Sequence, residues 1–188
     1  MKRYAIIIFT LIIMMVFTGC KEDKKNLYLP ELTNDKIYTT IGGKEKQLET
    51  KTEFCLVSKT NIIEINSDIE KLNMEPLSVE HGAGDGFKWT IHKYSDIEIK
   101  TLLSDNNKSV INKISTKSPV YRTIRYIGVG DSVSKLIDSY KNDLEYSWSI
   151  EKSYYVFDPQ NDIGFKRIFF YIDNDIINEI IIEDGIDG

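Results

Sequence analysis

The sequence predicts an α+β fold: two repeats of a short helix followed by an antiparallel three- to four-stranded meander, with the helices on one face of the sheet. Three observations lead there. The 188 residues are 41% hydrophobic and 28% charged, the composition of an ordinary globular domain. Short alternating runs rich in Ile, Tyr, Phe and Thr are separated by polar turn residues, the pattern of half-buried strands. And two stretches of the chain can be laid over one another in the same order, the mark of an internal repeat.

The first nineteen residues stand apart from this pattern. Lys2 and Arg3 form a positive n-region, residues 4–17 are apolar, and Thr18-Gly19-Cys20 follows at once. The apolar run is shorter than the roughly 20 residues a spanning helix needs. This is the layout of a secretory signal, with an uncleaved signal anchor as the alternative. Val16-Phe17-Thr18-Gly19-Cys20 resembles the lipobox of bacterial lipoproteins, which implies cleavage between Gly19 and Cys20 and a diacylglycerol on the Cys20 sulfur. Two acyl chains turn marginal membrane binding into stable anchoring. The expected location is therefore extracytoplasmic, lipid-anchored to the cell membrane or the outer membrane. Residues 20–36, with Lys21-Glu22-Asp23-Lys24-Lys25 and little periodicity, read as a solvated tether. Structure is expected over 37–183, with 184–188 as a tail.

Within that span the repeats are expected at about 60–116 and 122–183. Residues 63–72 align with 127–136, and Val110-Ile111-Asn112-Lys113-Ile114 aligns with Ile176-Ile177-Asn178-Glu179-Ile180. Each half opens with a short strand-like run ending in a helix-capping cluster: Ser67 and Glu70 have capping-box spacing, and Asp131 or Ser132 offers an N-cap oxygen after Gly130. The helices would turn Ile69 and Leu72, and Val133, Leu136, Ile137 and Tyr140, toward the core. Three strands follow in each half, at 87–92, 97–102 and 109–115, then at 153–157, 165–172 and 176–183. Residues 104–107 and Asp173-Asn174 are among the hairpin links.

The segment Thr123-Ile124-Arg125-Tyr126-Ile127-Gly128-Val129-Gly130-Asp131-Ser132, followed by a helix and by Tyr- and Ile-rich strands, resembles the tandem helix-plus-sheet lipoprotein domains of low-GC bacteria. Those domains are similar in shape to the β-lactamase inhibitor protein and to the small outer-membrane lipoprotein of the barrel-assembly machine. The resemblance implies a binding or scaffold role without catalysis.

Charge and residue types narrow the chemistry. With 24 Lys plus Arg against 29 Asp plus Glu, the formal charge is −5, and removing Lys2 and Arg3 makes the remainder more acidic. Nothing here recommends nucleic acid as a partner. Two histidines without ligand spacing argue against zinc, so no metal and no cofactor is expected. With Cys20 given to lipid, Cys55 has no disulfide partner and reads as a small buried hydrophobe. Gly128-Val129-Gly130-Asp131-Ser132-Val133 has two glycines of a dinucleotide fingerprint but lacks the third and the βαβ context, so a strand-to-helix turn is the better reading. The acidic turns at 158–162 and 173–175 invite calcium, yet neither completes a binding loop, and hairpins account for both. No serine stands in a nucleophile turn, so no catalytic residue is assigned and an enzyme is not expected.

Two features remain as candidate binding elements. The glycine-rich stretch His81, Gly82, Gly84, Asp85 and Gly86 reads as a flexible loop that could approach a ligand closely. The second half is crowded with aromatics, among them Tyr146, Trp148, Tyr154, Tyr155, Phe169 and Tyr171. Adjacent pairs such as Phe169 and Phe170 must send one ring to each side of a sheet, so some rings face outward, where protein-binding surfaces use them. The expectation is a membrane-anchored envelope lipoprotein acting as a non-catalytic protein-binding or scaffold module. The alternative is an extracytoplasmic small-molecule or ion receptor using the cleft between the repeats.

Overall fold

A computed structural model describes residues 31–33, 36–41, 44–48, 53–84, 86–104, 107–148, 152–159 and 165–185. The signal, Gly19, Cys20, most of the tether, Asp85 and most of the 158–162 turn lie outside the described residues. The backbone forms a three-stranded antiparallel meander, β1 (Glu31–Thr33), β2 (Lys36–Ile41) and β3 (Lys44–Leu48), and a two-stranded hairpin, β4 (Cys55–Val57) and β5 (Ile62–Glu64). An eight-stranded antiparallel sheet dominates. Its strands are β6 (Ser78–Gly84), β7 (Phe87–Lys93), β8 (Glu98–Leu103), β9 (Ser109–Thr116), β10 (Leu144–Trp148), β11 (Ser153–Phe157), β12 (Lys166–Asp173) and β13 (Ile176–Asp184), in the order β10-β11-β12-β13-β9-β8-β7-β6. Two four-stranded meanders thus meet back to back along β13 and β9.

The six strands expected from alternation are present within a residue or two of their expected bounds. The two helix-plus-sheet repeats are not seen: the fold is mostly β, and among the described residues only α1 (Val133–Tyr140) is an α-helix. The first half has just a 3-10 turn at Ile69–Lys71, capped by the Asp68 carboxylate, which accepts from Glu70 N at 3.1 Å. The capping box expected from Ser67 does not form; Ser67 Oγ donates to Glu64 O instead. Pro76 supplies a physical reason. It has no N–H to give, and it drives Glu75 into extended backbone. Fewer than two turns were therefore available, too little to repay helix nucleation.

What does recur is the strand frame. Asn66 N donates to Ile111 O and Ile111 N to Ser67 O; in the second half Gly130 N donates to Ile177 O and Ile177 N to Asp131 O. Asn66 and Gly130 both have positive φ, 67° and 89°. Each frame also contains a bulge. The β8–β9 register passes from Lys100↔Lys113 to Thr101↔Ile111, leaving Asn112 unmatched, and the β12–β13 register passes from Tyr171↔Glu179 to Ile172↔Ile177, leaving Asn178 unmatched. From each clamp the chain crosses the same face of the sheet to reach its outermost strand. Residues 68–77 do so with the 3-10 turn as their one piece of helix, residues 132–143 as α1 and a short 3-10 turn.

The core lies on that crossed face. Ile99, Ile111, Ile114, Ile168, Phe170, Ile177, Ile180 and Ile182 point into it from the sheet, and Leu136 and Tyr140 from α1 cover it together with Phe54, Leu56, Ile63 and Ile65 from the β4–β5 hairpin and its flanks. Tyr140 meets Phe157 and Phe170 edge-on at 5.1 and 5.2 Å. Arg125 ties the cover down. Its guanidinium lies 4.5 Å from the Tyr140 ring centre and 4.9 Å from that of Phe157, and donates to Glu53 Oε1 at 2.6 Å and Asp143 Oδ2 at 3.3 Å. Cys55 is buried, and burial pushes its thiol up to about 12, with the charges of Glu64 and Glu53 adding to the shift. That is the inert cysteine expected from its apolar neighbours.

Candidate functional site: the helix-free face of the sheet

Strand alternation fixes what the other face presents. Along β12 and β13 buried residues alternate with half-buried ones, and the latter, with their partners on β11, put Tyr154, Val156, Arg167, Phe169, Tyr171, Glu179, Ile181 and Glu183 on the side away from α1. Across the seam the same face carries Lys113, Lys100, Leu102, Trp89, Ile91 and Phe87. No described side chain on this face is buried, and no described helix crosses it.

The adjacent aromatic pairs divide as the sequence required. Phe170 is fully buried while Phe169 faces outward; Tyr155 packs against the core while Tyr154 faces outward. Tyr154, Phe169 and Tyr171 form one cluster with ring centres 5.9, 5.4 and 6.5 Å apart. Lys152 Nζ sits 4.8 Å over the Tyr171 ring. Nearby Glu179 forms ion pairs with Lys152 at 3.7 Å and Lys117 at 3.9 Å, and Lys113 pairs with Glu183 at 2.9 Å. Burial, with the charges of Glu179 and Glu183, raises the Tyr171 phenol, so it stays a neutral hydrogen-bonding group at physiological pH.

Tyr146 and Trp148 do not join this cluster. Their register opposite Tyr155 and Ser153 puts them on the helix side, at the β10 edge beyond the reach of α1, where they are 57% and 73% exposed. Of the six aromatics singled out by sequence, the structure brings Tyr154, Phe169 and Tyr171 together on the open face and leaves Tyr146, Trp148 and Tyr155 on the other.

The glycine-rich stretch is not a loop. His81, Gly82 and Gly84 belong to β6, the strand at the opposite edge of the sheet from β10, and Gly86 completes the turn to β7 with φ of 83°. Seven strand spacings, on the order of 33 Å, separate the two edges. Gly82 has a packing role: the Trp89 indole lies flat on it, and a Cβ there would overlap the ring. Sequence reasoning did not single out Trp89 as a surface residue, although its place on an alternating strand beside Ile91 was visible. Lys100 Nζ lies 5.7 Å over the indole, making a second aromatic and cationic spot on the open face.

The two histidines sit side by side on the helix-facing side near the β6 edge. His81 Nδ1 is 3.1 Å from Thr90 Oγ1 and His92 Nε2 is 3.5 Å from Thr101 Oγ1. Burial, together with the neighbouring His81, lowers the His92 pKa, so it is neutral at pH 7. A pocket of about 340 Å³ opens beside them, lined by His81, Ala83, Lys88, Thr90, Leu103 and Ser109. Between the halves, at the β7–β8 turn, lies an open polar cleft of about 680 Å³ whose walls include Tyr94, Asp96, Lys117 and Glu179. Among the described residues, no group of three or more His, Cys, Asp or Glu is placed to hold a metal.

The glycine motif before α1 has a structural task. The Asp131 carboxylate accepts from Gly128 N at 2.9 Å, from Arg122 at 2.5 Å and from Lys135 at 2.9 Å, while Arg122 and Lys135 also donate to Tyr126 O at 3.1 Å each. Ser132 caps α1 by accepting from Lys135 N. Asp158, the start of the first acidic run, accepts from Arg167 at 2.9 Å, and Asn174 and Asp175, with φ of 50° and 62°, make the tight β12–β13 hairpin turn. No family model, no curated protein and no solved structure matches the chain.

Proposed function

We propose that the chain is a membrane-anchored envelope lipoprotein whose sheet offers its helix-free face to a protein partner, without catalysis. The observation that carries this reading is the cluster of Tyr154, Phe169 and Tyr171. Three mutually packed rings stand half-exposed on an uncovered face, held stiffly by the strands beneath them. Rigid aromatic side chains bury much area on contact at little entropic cost, which is why they anchor interfaces. The ion pairs beside the cluster suit a polar rim. The lipobox-like segment supplies the anchor.

Photo-crosslinking from position 171 in cells making the full chain tests this. One discrete adduct is expected from 171 and none from 137, an exposed position on α1. The adduct should vanish with Phe169→Arg, and with Cys20→Ser, which also releases the chain from the membrane fraction. Adducts from both positions alike, or from neither, would contradict the proposal.

A second reading, a receptor for a small molecule or ion, is favoured by the polar cleft between the halves, where the largely shielded Glu179 carboxylate pairs with Lys117 in the wall. A ligand present at 100 times its dissociation constant would stabilise the fold by about 2.7 kcal/mol. A thermal-shift screen reads that directly, and Glu179→Gln should abolish the shift.

A further inference from the structure

The two halves differ in what their strands turn toward the helix-facing side of the sheet. Equating the clamped residues Ile111 and Ile177 equates Thr101 with Ile172, His92 with Tyr155 and His81 with Trp148. Three apolar or aromatic positions of the second half are thus a hydroxyl and two imidazoles in the first. Polar groups on the side that carries the core cost free energy unless they are bonded. Here they bond within their own row, His81 Nδ1 with Thr90 Oγ1 at 3.1 Å and His92 Nε2 with Thr101 Oγ1 at 3.5 Å. The first of these contacts fixes the His81 ring and leaves its Nε2 without a hydrogen-bond partner among the described residues.

At the end of β7 and β8 away from the polar cleft, this row opens into the pocket of about 340 Å³. That size falls within the range of small-molecule sites, which are mostly apolar with a few convergent polar groups. Lys88 supplies the cation. No described carboxylate lines the pocket and none pairs with the Lys88 ammonium, in a chain of 24 Lys plus Arg against 29 Asp plus Glu. The Thr90 and Ser109 hydroxyls and the His81 ring offer hydrogen bonds, while Leu103, 41% exposed, and Ala83 offer apolar contact. We infer that this pocket binds a small monocarboxylate with an apolar tail of a few carbons, its head on Lys88 and the hydroxyls and its tail on Leu103 and Ala83. One lysine matches one negative charge. Burial keeps the neighbouring His92 neutral at pH 7, so a doubly charged phosphate would bring a second charge that nothing in the row compensates. The pocket lies on the opposite side of the sheet from Tyr154, Phe169 and Tyr171, so the inference does not rest on the partner proposed for that surface.

Nuclear magnetic resonance on the full chain in detergent, with hexanoate as the probe, tests this. The His81 ring C–H and Leu103 methyl signals should shift and saturate, while those of Ile137, exposed on α1, stay in place. Hexanamide, of the same shape without the charge, should bind about tenfold more weakly, the loss of one charge-assisted hydrogen bond. Lys88→Gln should weaken hexanoate by a similar factor and Lys88→Arg should not. Leu103→Ser should weaken hexanoate and leave acetate, which has the head without the tail, unchanged. Asp85→Asn, in the β6–β7 turn, should bind hexanoate at least as well as the unsubstituted chain. Shifts that never saturate or that appear equally at Ile137, hexanamide binding as tightly as hexanoate, or affinity unmoved by Lys88→Gln would overturn the inference. So would displacement of hexanoate by an equal concentration of inorganic phosphate, or loss of binding on Asp85→Asn, which would make the site one for a cation.

Discussion

Phe170→Ala is expected to cost about 3–5 kcal/mol of folding stability, measured as a shift of the denaturation midpoint, while Phe169→Ala, one residue away, costs under about 1 kcal/mol. Phe170 is fully buried under α1, edge-on to Tyr140, and its removal leaves a hole that the cover cannot close because Tyr140 is also fixed by Phe157 and Arg125. Phe169 lies on the open face, where truncation leaves no cavity. Equal losses at the two positions would mean that both faces of the sheet are covered, and the open-face surface would cease to exist.

The second large effect is at Asp131. Asp131→Ala is expected to lose about 3 kcal/mol, because it strands the Gly128 N–H and leaves the largely shielded Arg122 without its carboxylate. Burial alone would raise the Asp131 pKa. The hydrogen bonds from Lys135 and Gly128 and the charges of Arg122 and Lys135 outweigh burial, so the pKa in the folded chain lies below the ordinary value. The sign for stability follows: this contribution is complete above the unfolded-state pKa of about 4 and is lost as pH falls through the lower, folded-state value. Asp131→Asn, which keeps an acceptor for Gly128 N but has no proton to take up, should show a flatter stability profile below about pH 4 than the unsubstituted chain. A profile unchanged by the substitution would show that other carboxylates govern acid lability.

How far the fold was legible from the sequence depended on whether burial wrote a pattern. The six inner strands did so, because one face of each is packed and the other is not, giving alternation that survives in residues such as Ile180, Ile181 and Ile182 only through their neighbours. β10 and especially β6 did not. Ser78-Val79-Glu80-His81-Gly82-Ala83-Gly84 has weak strand preference and is extended because β7 offers it hydrogen bonds, not because a core requires it. Reading its glycines as a flexible loop missed that Gly82 is small in order to seat Trp89. The missing first helix was also legible in retrospect, in Pro76, but the likeness of the two halves outweighed it. That likeness was real at a finer level: the matched Ile-Asn pairs at 111–112 and 177–178 mark the clamped residue and the bulge, which lie at the β9 and β13 ends of the frames, away from any helix. On the open face, alternation told which rings turn outward, whereas which of them meet depended on register between strands, which no local pattern encodes.

The back-to-back arrangement of the two meanders also sets the order in which the sheet can be assembled. Within each meander every pairing joins neighbouring strands of the chain, so its closing loops are short. The β13–β9 seam joins residues such as Ile180 and Thr116, far apart in sequence. Closing a loop about six times longer than a hairpin's costs roughly 1.6 kcal/mol more in chain entropy. That cost is met only once both meanders present formed edges to each other, which places the seam late in folding and makes it the step that commits the two halves to one cooperative unit.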